Sequence, residues 1–198
     1  MGDLNSLSHF LAKLLRHEAK KRGLEVTPEG YVNIEDILEL PEARRFSVSD
    51  VEGIVNRDGK GRFGLRTRNG MKQIKATQGH TMKLDKLELT PINRHTDVRT
   101  VLHGTRKMNW QSIKTEGLSK RGRTHIHFAA GENVQSGFPP RCDMVIEIDL
   151  QKALADGYKF YKSENDVILS EGNGNGVIPP KYFKRAYDLH SHTDISLQ

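Results

Sequence analysis

The chain has 198 residues, with 31 Lys and Arg against 25 Asp and Glu, for a formal charge of +6. A hydrophobic content of 35% with 28% charged residues excludes a disordered tail and a membrane-spanning protein, and the length allows one large domain or two small ones. The charge is concentrated: residues 57–75 and residues 94–123 each sum to +6, so the remainder sums to −6. Two basic segments in an otherwise acidic chain point to a polyanion or phosphate ligand, against the plainer reading of two solvated faces.

Leu7, Phe10, Leu11, Leu14 and Leu15 recur at helical spacing. Asn5 and Ser6 are candidate caps before this first helix, and Gly23 follows it. Arg16 and His17 come directly after the apolar stripe, at the edge of its last turns. Thr27-Pro28-Glu29-Gly30 reads as a turn, followed by a short apolar stretch at Tyr31 and Val32. Asn33 with Asp36 predicts a second helix, stopped by Pro41, and Ser47 with Asp50 predicts a third through Val51, Ile54 and Val55. Phe63 and Leu65, then Asn69-Gly70, then Ile74 form a strong hairpin signal. Three short helices and a two-stranded ribbon is the order of a winged helix, a fold that serves nucleic-acid binding and protein packing alike.

Residues 84–99 lack periodicity and contain Pro91, which places a domain junction there. Beyond it, strands are predicted at Thr100-Val101-Leu102 running into His103-Gly104-Thr105, at His125 to Phe128, at Val145, Ile146 and Ile148, at Phe160-Tyr161, and at Val167-Ile168-Leu169. Short helices are expected around Trp110 and Ile113, ended by Gly117, and around Ala153 and Leu154, ended by Gly157. Connections this short do not suit βαβ crossovers, so a mixed or antiparallel sheet follows. The whole is of the α+β class.

Several chemistries lack support. Gly172-Asn173-Gly174-Asn175-Gly176 is a loop without a following helix, hence no dinucleotide fingerprint. His125 and His127 share a strand face but have no further ligands at zinc spacing, so no metal is expected. Cys142 is the single cysteine, so no internal disulfide can form. No apolar run approaches the roughly 18 residues of a membrane span, and no signal-peptide core is evident. The expectation is an intracellular protein in a reducing compartment, cytoplasmic or nuclear, monomeric and without a membrane partner. What remains is a set of cations and imidazoles: Arg16-His17, Lys75 with His80, His103 and Arg123. Guanidinium forks bind phosphate oxygens bidentately, so the residues alone reach a phosphate-handling or RNA-contacting protein, without naming a reaction.

Seven motifs appear in order: Leu15-Arg16-His17, Gln78-Gly79-His80, His103-Gly104-Thr105, Gly117-Leu118, Arg123-Thr124-His125-Ile126-His127, Val167-Ile168-Leu169 and Lys181-Tyr182-Phe183. Together they resemble the NAD-dependent RNA 2′-phosphotransferase family of tRNA splicing, from about Leu7 to Phe183. The resemblance implies an N-terminal winged-helix lobe binding the RNA phosphate, residues 1–90, and an ADP-ribosyltransferase-like NAD-binding lobe, residues 91–198. It implies NAD as co-substrate, no metal, and an RNA with an internal 2′-phosphate, such as spliced tRNA, as partner. In the implied reaction the 2′-phosphate attacks the nicotinamide ribose of NAD, giving an ADP-ribosylated RNA phosphate and nicotinamide. The ribose 2″-hydroxyl then attacks phosphorus, giving 2′-hydroxyl RNA and ADP-ribose 1″,2″-cyclic phosphate.

By the same resemblance the essential quartet falls on Arg16, His17, Lys75 and Arg123. His103, Gly104 and Thr105 lie along NAD, with His127, Ser163 and Asn165 lining the same pocket. His17 is left with two roles, holding a phosphate oxygen or passing a proton. Two positions depart from the family pattern. Lys75 stands where the family has arginine, and Asn165-Asp166 replaces its usual Asn-Gly. The alternatives are an ADP-ribosyltransferase that caps phosphorylated RNA or DNA ends, and a catalytically silent RNA-binding module.

Overall fold

The computed structural model describes residues 2–134 and 136–198. The chain divides into two units, Met1–Glu88 and Leu89–Gln198.

In the first unit, helix α1 spans Gly2–Lys13, so Asn5 and Ser6 lie inside it rather than capping it. Asp3 in its first turn complements the positive end of the helix dipole. Leu7, Leu11, Leu14 and Leu15 form the buried stripe that the spacing predicts. After α1 the chain widens into a π-helical segment, Leu14–Glu18, where the Ala19 N–H bonds the Leu14 carbonyl at 2.9 Å. The i→i+5 bond inserts one extra residue into the turn, and nothing in the apolar spacing foretells it. Strand β1 (Val32–Asn33) leads into α2 (Ile34–Leu38), capped by the Asn33 side chain, which accepts the Glu35 N–H. That helix ends before Pro41 is reached. Helix α3 (Val48–Arg57) starts with the Ser47–Asp50 capping box that the sequence suggests. Strands β2 (Phe63–Arg68) and β3 (Met71–Ala76) form the hairpin, with Asn69 at φ 52° and Gly70 at φ 76°. Positive φ at both central residues is the geometry of the favoured Asn-Gly turn. Strand β1 adds to the far edge of β3. Ile74, Ala76 and Phe63 face the core with the leucines of α1. Alternation therefore turns Gln73 and Lys75 to the opposite face of the sheet.

The second unit opens with strand β4 (Leu89–Ile92), inside the stretch that lacks periodicity. Its Pro91 is accommodated because β4 is an edge strand in the order β4-β9-β10-β7. The remaining elements, in chain order, are β5 (Leu102–Thr105), α4 (Trp110–Glu116), β6 (Leu118–Ser119), β7 (Ile126–Phe128) and β8 (Met144–Ile148). They continue with α5 (Leu150–Ala155), β9 (Phe160–Ser163), β10 (Ile168–Ser170), β11 (Val177–Ile178) and β12 (Phe183–Asp188). A second sheet has the order β12-β8-β5, and β6 pairs with β11. Among the described residues every strand ladder is antiparallel. Strand β12 escapes sequence reading because Lys184, Arg185 and Asp188 interrupt its apolar pattern, yet it flanks the central β8. Ile92, Phe160, Ile168, Ile126 and Phe128 build the core together with Met144, Ile146 and Ile148 of the second sheet. No helix among the described residues is long and apolar enough to cross a membrane.

Candidate functional site

In the first unit, Arg16 and His17 both lie in the π-helical segment. The Gln78-Gly79-His80 loop seats them. The N–H groups of Thr81 and Met82 donate to the Arg16 carbonyl at 3.0 and 3.4 Å. The Arg16 side chain packs against Gly79, which sits at φ 86°; a Cβ there would lie 3.2 Å from Nε and 3.4 Å from Cζ. Glycine therefore serves both the left-handed backbone and the close approach of the guanidinium. The His17 Nδ1 lies 3.0 Å from the Thr81 hydroxyl, which orients the ring. His80 is buried beside Gly30. Sequence reading places Arg16-His17 in one motif and His80 in another; the contacts of Gly79 and Thr81 bring the two motifs together.

Lys75 occupies the sheet face opposite the core, directly across from Gly64 of β2. Its stem runs over that glycine, where a Cβ would lie 3.2 Å from Lys75 Cε. The ammonium donates to Glu88 Oε2 at 2.8 Å and sits 4.9 Å from the Tyr31 ring centre. Tyr31 also carries the Arg66 guanidinium at 3.9 Å. Arg66 in turn donates from Nε to Gln73 Oε1 at 2.8 Å. Gly64 and Glu88 go unmarked in the sequence reading, and Tyr31 enters it only as part of a short apolar stretch. The turn at Asn69-Gly70 fixes the register that pairs Gly64 with Lys75, so that one neighbour is derivable from sequence.

In the second unit, the register Leu169↔His127, Leu169↔Tyr161 and Leu89↔Ser163 puts His125, His127 and Ser163 on the sheet face turned away from the core. His103 of β5 approaches β7: its Nδ1 donates to the His127 carbonyl at 3.0 Å, and its ring meets Phe128 edge-on. A carbonyl only accepts, so Nδ1 carries the proton and the neutral ring keeps Nε2 unprotonated. Burial pushes the His103 imidazole below its ordinary pKa, opposed by the His127 carbonyl and assisted by Arg121. Burial does the same to His125.

This depression has a measurable consequence. The unfolded chain takes up protons below about pH 6.5 while the folded His103 resists them, so stability is lost as pH falls below that value. The melting temperature is expected to drop between pH 7.5 and 5.5. His103→Gln should show a smaller drop, with His125 accounting for the rest; an unchanged pH dependence would contradict the neutral, half-buried ring.

Gly104 has no side chain, and the space one would take is filled by Phe138 and Cys142. Val101 and Thr105 use their carbonyls toward β8, while Leu102 exchanges both backbone bonds with Ala129. Gly104 is in phase with Leu102, so its N–H and C=O turn away from β8, along an edge of the sheet. The Thr105 hydroxyl accepts the Asn109 amide at 3.2 Å. Arg123 is exposed in the turn before β7, and its Nη1 lies 3.4 Å from His127 Nδ1. The glycine-rich loop supports that turn: the Lys120 N–H bonds the Gly176 carbonyl at 2.9 Å. Ser163 and Asn165 belong to the β9–β10 turn, where the Ser163 hydroxyl donates to Asn165 Oδ1 at 2.7 Å and accepts the Val167 N–H at 3.1 Å. Asp166 holds the left-handed position of that turn at φ 60°. There glycine is the unstrained choice and Asp is tolerated. Its carboxylate meets Lys162 at 3.2 Å on the surface. No group of three or more His, Cys, Asp or Glu among the described residues could hold a metal ion.

These features divide into two chemical parts. The first unit carries an Arg-His pair and a buried lysine suited to phosphate oxygens. The second carries a neutral histidine, a buried glycine whose N–H and C=O turn away from β8, and an exposed arginine. The family model described as RNA 2′-phosphotransferase, Tpt1 / KptA family matches residues 3–172. The tRNA 2′-phosphotransferase 1 of Bos taurus is 43% identical over 190 residues, covering 92% of this chain and 75% of the relative. The protein of that name from Danio rerio is 41% identical, covering 92% and 85%. The Mus musculus protein is 42% identical, covering 92% and 76%.

Proposed function

Because the chain belongs to the RNA 2′-phosphotransferase, Tpt1 / KptA family, we propose that it removes an internal 2′-phosphate from RNA, such as spliced tRNA, using NAD as acceptor. The observation that carries this reading is the seating of Arg16 and His17 on the Gly79–Thr81 loop. Such seating presents a guanidinium and an imidazole in a fixed geometry to a phosphate. The first unit then has the helix-and-hairpin order of a winged helix and the second acts as an ADP-ribosyltransferase-like lobe.

The residues of the second unit fit a nicotinamide ring. The Gly104 N–H and C=O edge matches the acceptor and donor of a carboxamide, and the neutral His103 stands beside it on β5. NAD supplies the electrophilic ribose carbon, and the products are 2′-hydroxyl RNA, nicotinamide and ADP-ribose 1″,2″-cyclic phosphate. Arg16, Lys75 and Arg123 hold phosphate oxygens and balance charge as it builds. His17, oriented by Thr81, holds a phosphate oxygen or passes a proton. Preorganisation removes the cost of arranging these groups at the moment of reaction.

The test is to incubate the protein with NAD and a short RNA bearing an internal 2′-phosphate, then weigh the RNA. Loss of the phosphate supports the reading. RNA that retains the phosphate and gains ADP-ribose supports end-capping chemistry, and unchanged RNA with retained affinity supports a silent binding module. Lys75 offers a point charge where a guanidinium would offer a fork. Lys75→Arg is therefore expected to speed the second step by up to about tenfold, one added charge-assisted bond's worth. Single-turnover decay of the ADP-ribosylated RNA measures it, and an unchanged or slower decay refutes the account.

A further inference from the structure

Lys75 has almost no surface of its own. Its side chain is 1% exposed, while that of its partner Glu88 is 57% exposed. Gly64 lies under the stem, the Tyr31 ring lies beside the ammonium, and Glu88 Oε2 accepts from Nζ at 2.8 Å. The carboxylate is thus the most exposed member of this cluster. A ligand anion can bond the ammonium only by taking a position that a neighbour now holds. Tyr31 and Gly64 belong to the sheet and its flanks, and Tyr31 also carries Arg66. Of these three described neighbours, Glu88, the last residue of the first unit, is the one that can yield.

Resting on the reading of Lys75 as a phosphate-binding cation, we propose that Glu88 competes with the RNA 2′-phosphate for the Lys75 ammonium, so that one leaves as the other arrives. The physical logic has two sides. A buried ammonium without a counter-charge is strongly disfavoured, so a carboxylate has to hold that position until a phosphate does. A phosphomonoester carries more charge than a carboxylate and more acceptor oxygens, so it wins the exchange. A carboxylate remaining in place would repel the incoming dianion. Glu88 is in this account a specificity-determining residue for the phosphate and has no part in bond making.

The experiment measures affinity, without NAD, for a short RNA carrying one internal 2′-phosphate and for the same RNA without it. In the full chain, Glu88→Gln is expected to tighten binding of the phosphorylated RNA about 3- to 10-fold, the range of one partly exposed ion pair. The unmodified RNA should change by less than about twofold, because only general attraction has altered. Glu88→Asp, which keeps the charge but withdraws the carboxylate, should fall between wild type and Glu88→Gln. In a Lys75→Gln background the Glu88→Gln gain should vanish. Equal tightening for both RNAs, or weaker binding of the phosphorylated one, would overturn the proposal. If Lys75→Gln itself leaves the phosphorylated RNA's affinity unchanged while the protein still melts cooperatively, the reading of Lys75 fails and the proposal falls with it. That outcome is distinct from a failed exchange in which Lys75 matters and Glu88 does not.

Discussion

Arg123→Ala is expected to lower turnover of a 2′-phosphorylated RNA by about 10²- to 10³-fold, the usual loss on deleting one preorganised donor to developing charge. Its effect on stability should be small. Arg123 is exposed, and its one described side-chain contact is the 3.4 Å approach of Nη1 to His127 Nδ1. The turn that carries it is held by backbone groups, through the bond from the Arg123 N–H to the Lys120 carbonyl at 3.1 Å and the support of Lys120 by Gly176. Removing the guanidinium therefore deletes a phosphate ligand and leaves its platform. Arg123→Lys should recover charge but not the fork, and so restore only part of the loss. Thermal melting and single-turnover kinetics on the same preparations separate the two effects. Full activity in a folded Arg123→Ala protein would remove Arg123 from the proposed phosphate site.

Gly104→Ala is expected to act the other way, through stability first. A Cβ at this position would lie 2.4 Å from Phe138 Cδ1 and 2.8 Å from Cys142 Sγ. Both neighbours are held: Cys142 donates to the Met144 carbonyl, and Phe138 packs with Leu102, Val145 and Tyr187. Burial also raises the Cys142 thiol above its ordinary pKa, consistent with a packing role for this lone cysteine. Overfilling such a site costs about 1–3 kcal/mol, and each kcal/mol lowers the melting temperature by about 4–8 °C in a domain of this size. The Michaelis constant for NAD should rise with it, because the strand edge offered to the carboxamide moves with Gly104. Phe138→Ala in the same chain makes room for the added methyl, so the double variant should melt above the sum of the two single losses. Strict additivity would place the strain elsewhere.

Much of the local structure was readable from short-range chemistry. The Ser47–Asp50 capping box, the Asn33 cap and the Asn69-Gly70 turn each involve residues within three positions of one another. Their geometry follows from side chain and backbone alone. The hairpin register extends this reach, since a two-residue turn pairs Gly64 with Lys75 without any tertiary information. Strand alternation likewise placed His125 and His127 on one face, and the structure turns that face away from the core. The first helix starts at Gly2, ahead of the candidate caps Asn5 and Ser6, because a signal of capping residues competes poorly with a leucine stripe whose packing extends the helix.

The positions of charge, the punctuation of helices and hairpin, and the family to which the motifs belong are all legible along the chain. What each charged group faces depends on the folded chain. It set Tyr31 and Glu88 around Lys75, Gly79 and Thr81 around Arg16 and His17, and Phe138 over Gly104. It also opened the helix into a π-turn at Arg16 and His17. The reason is one of range: caps and turns are settled within a few residues, whereas burial and counter-charge depend on segments that meet only when the core closes. The net charge of +6 is legible without any fold, whereas the pairing of the buried Lys75 with the exposed Glu88 carboxylate is not.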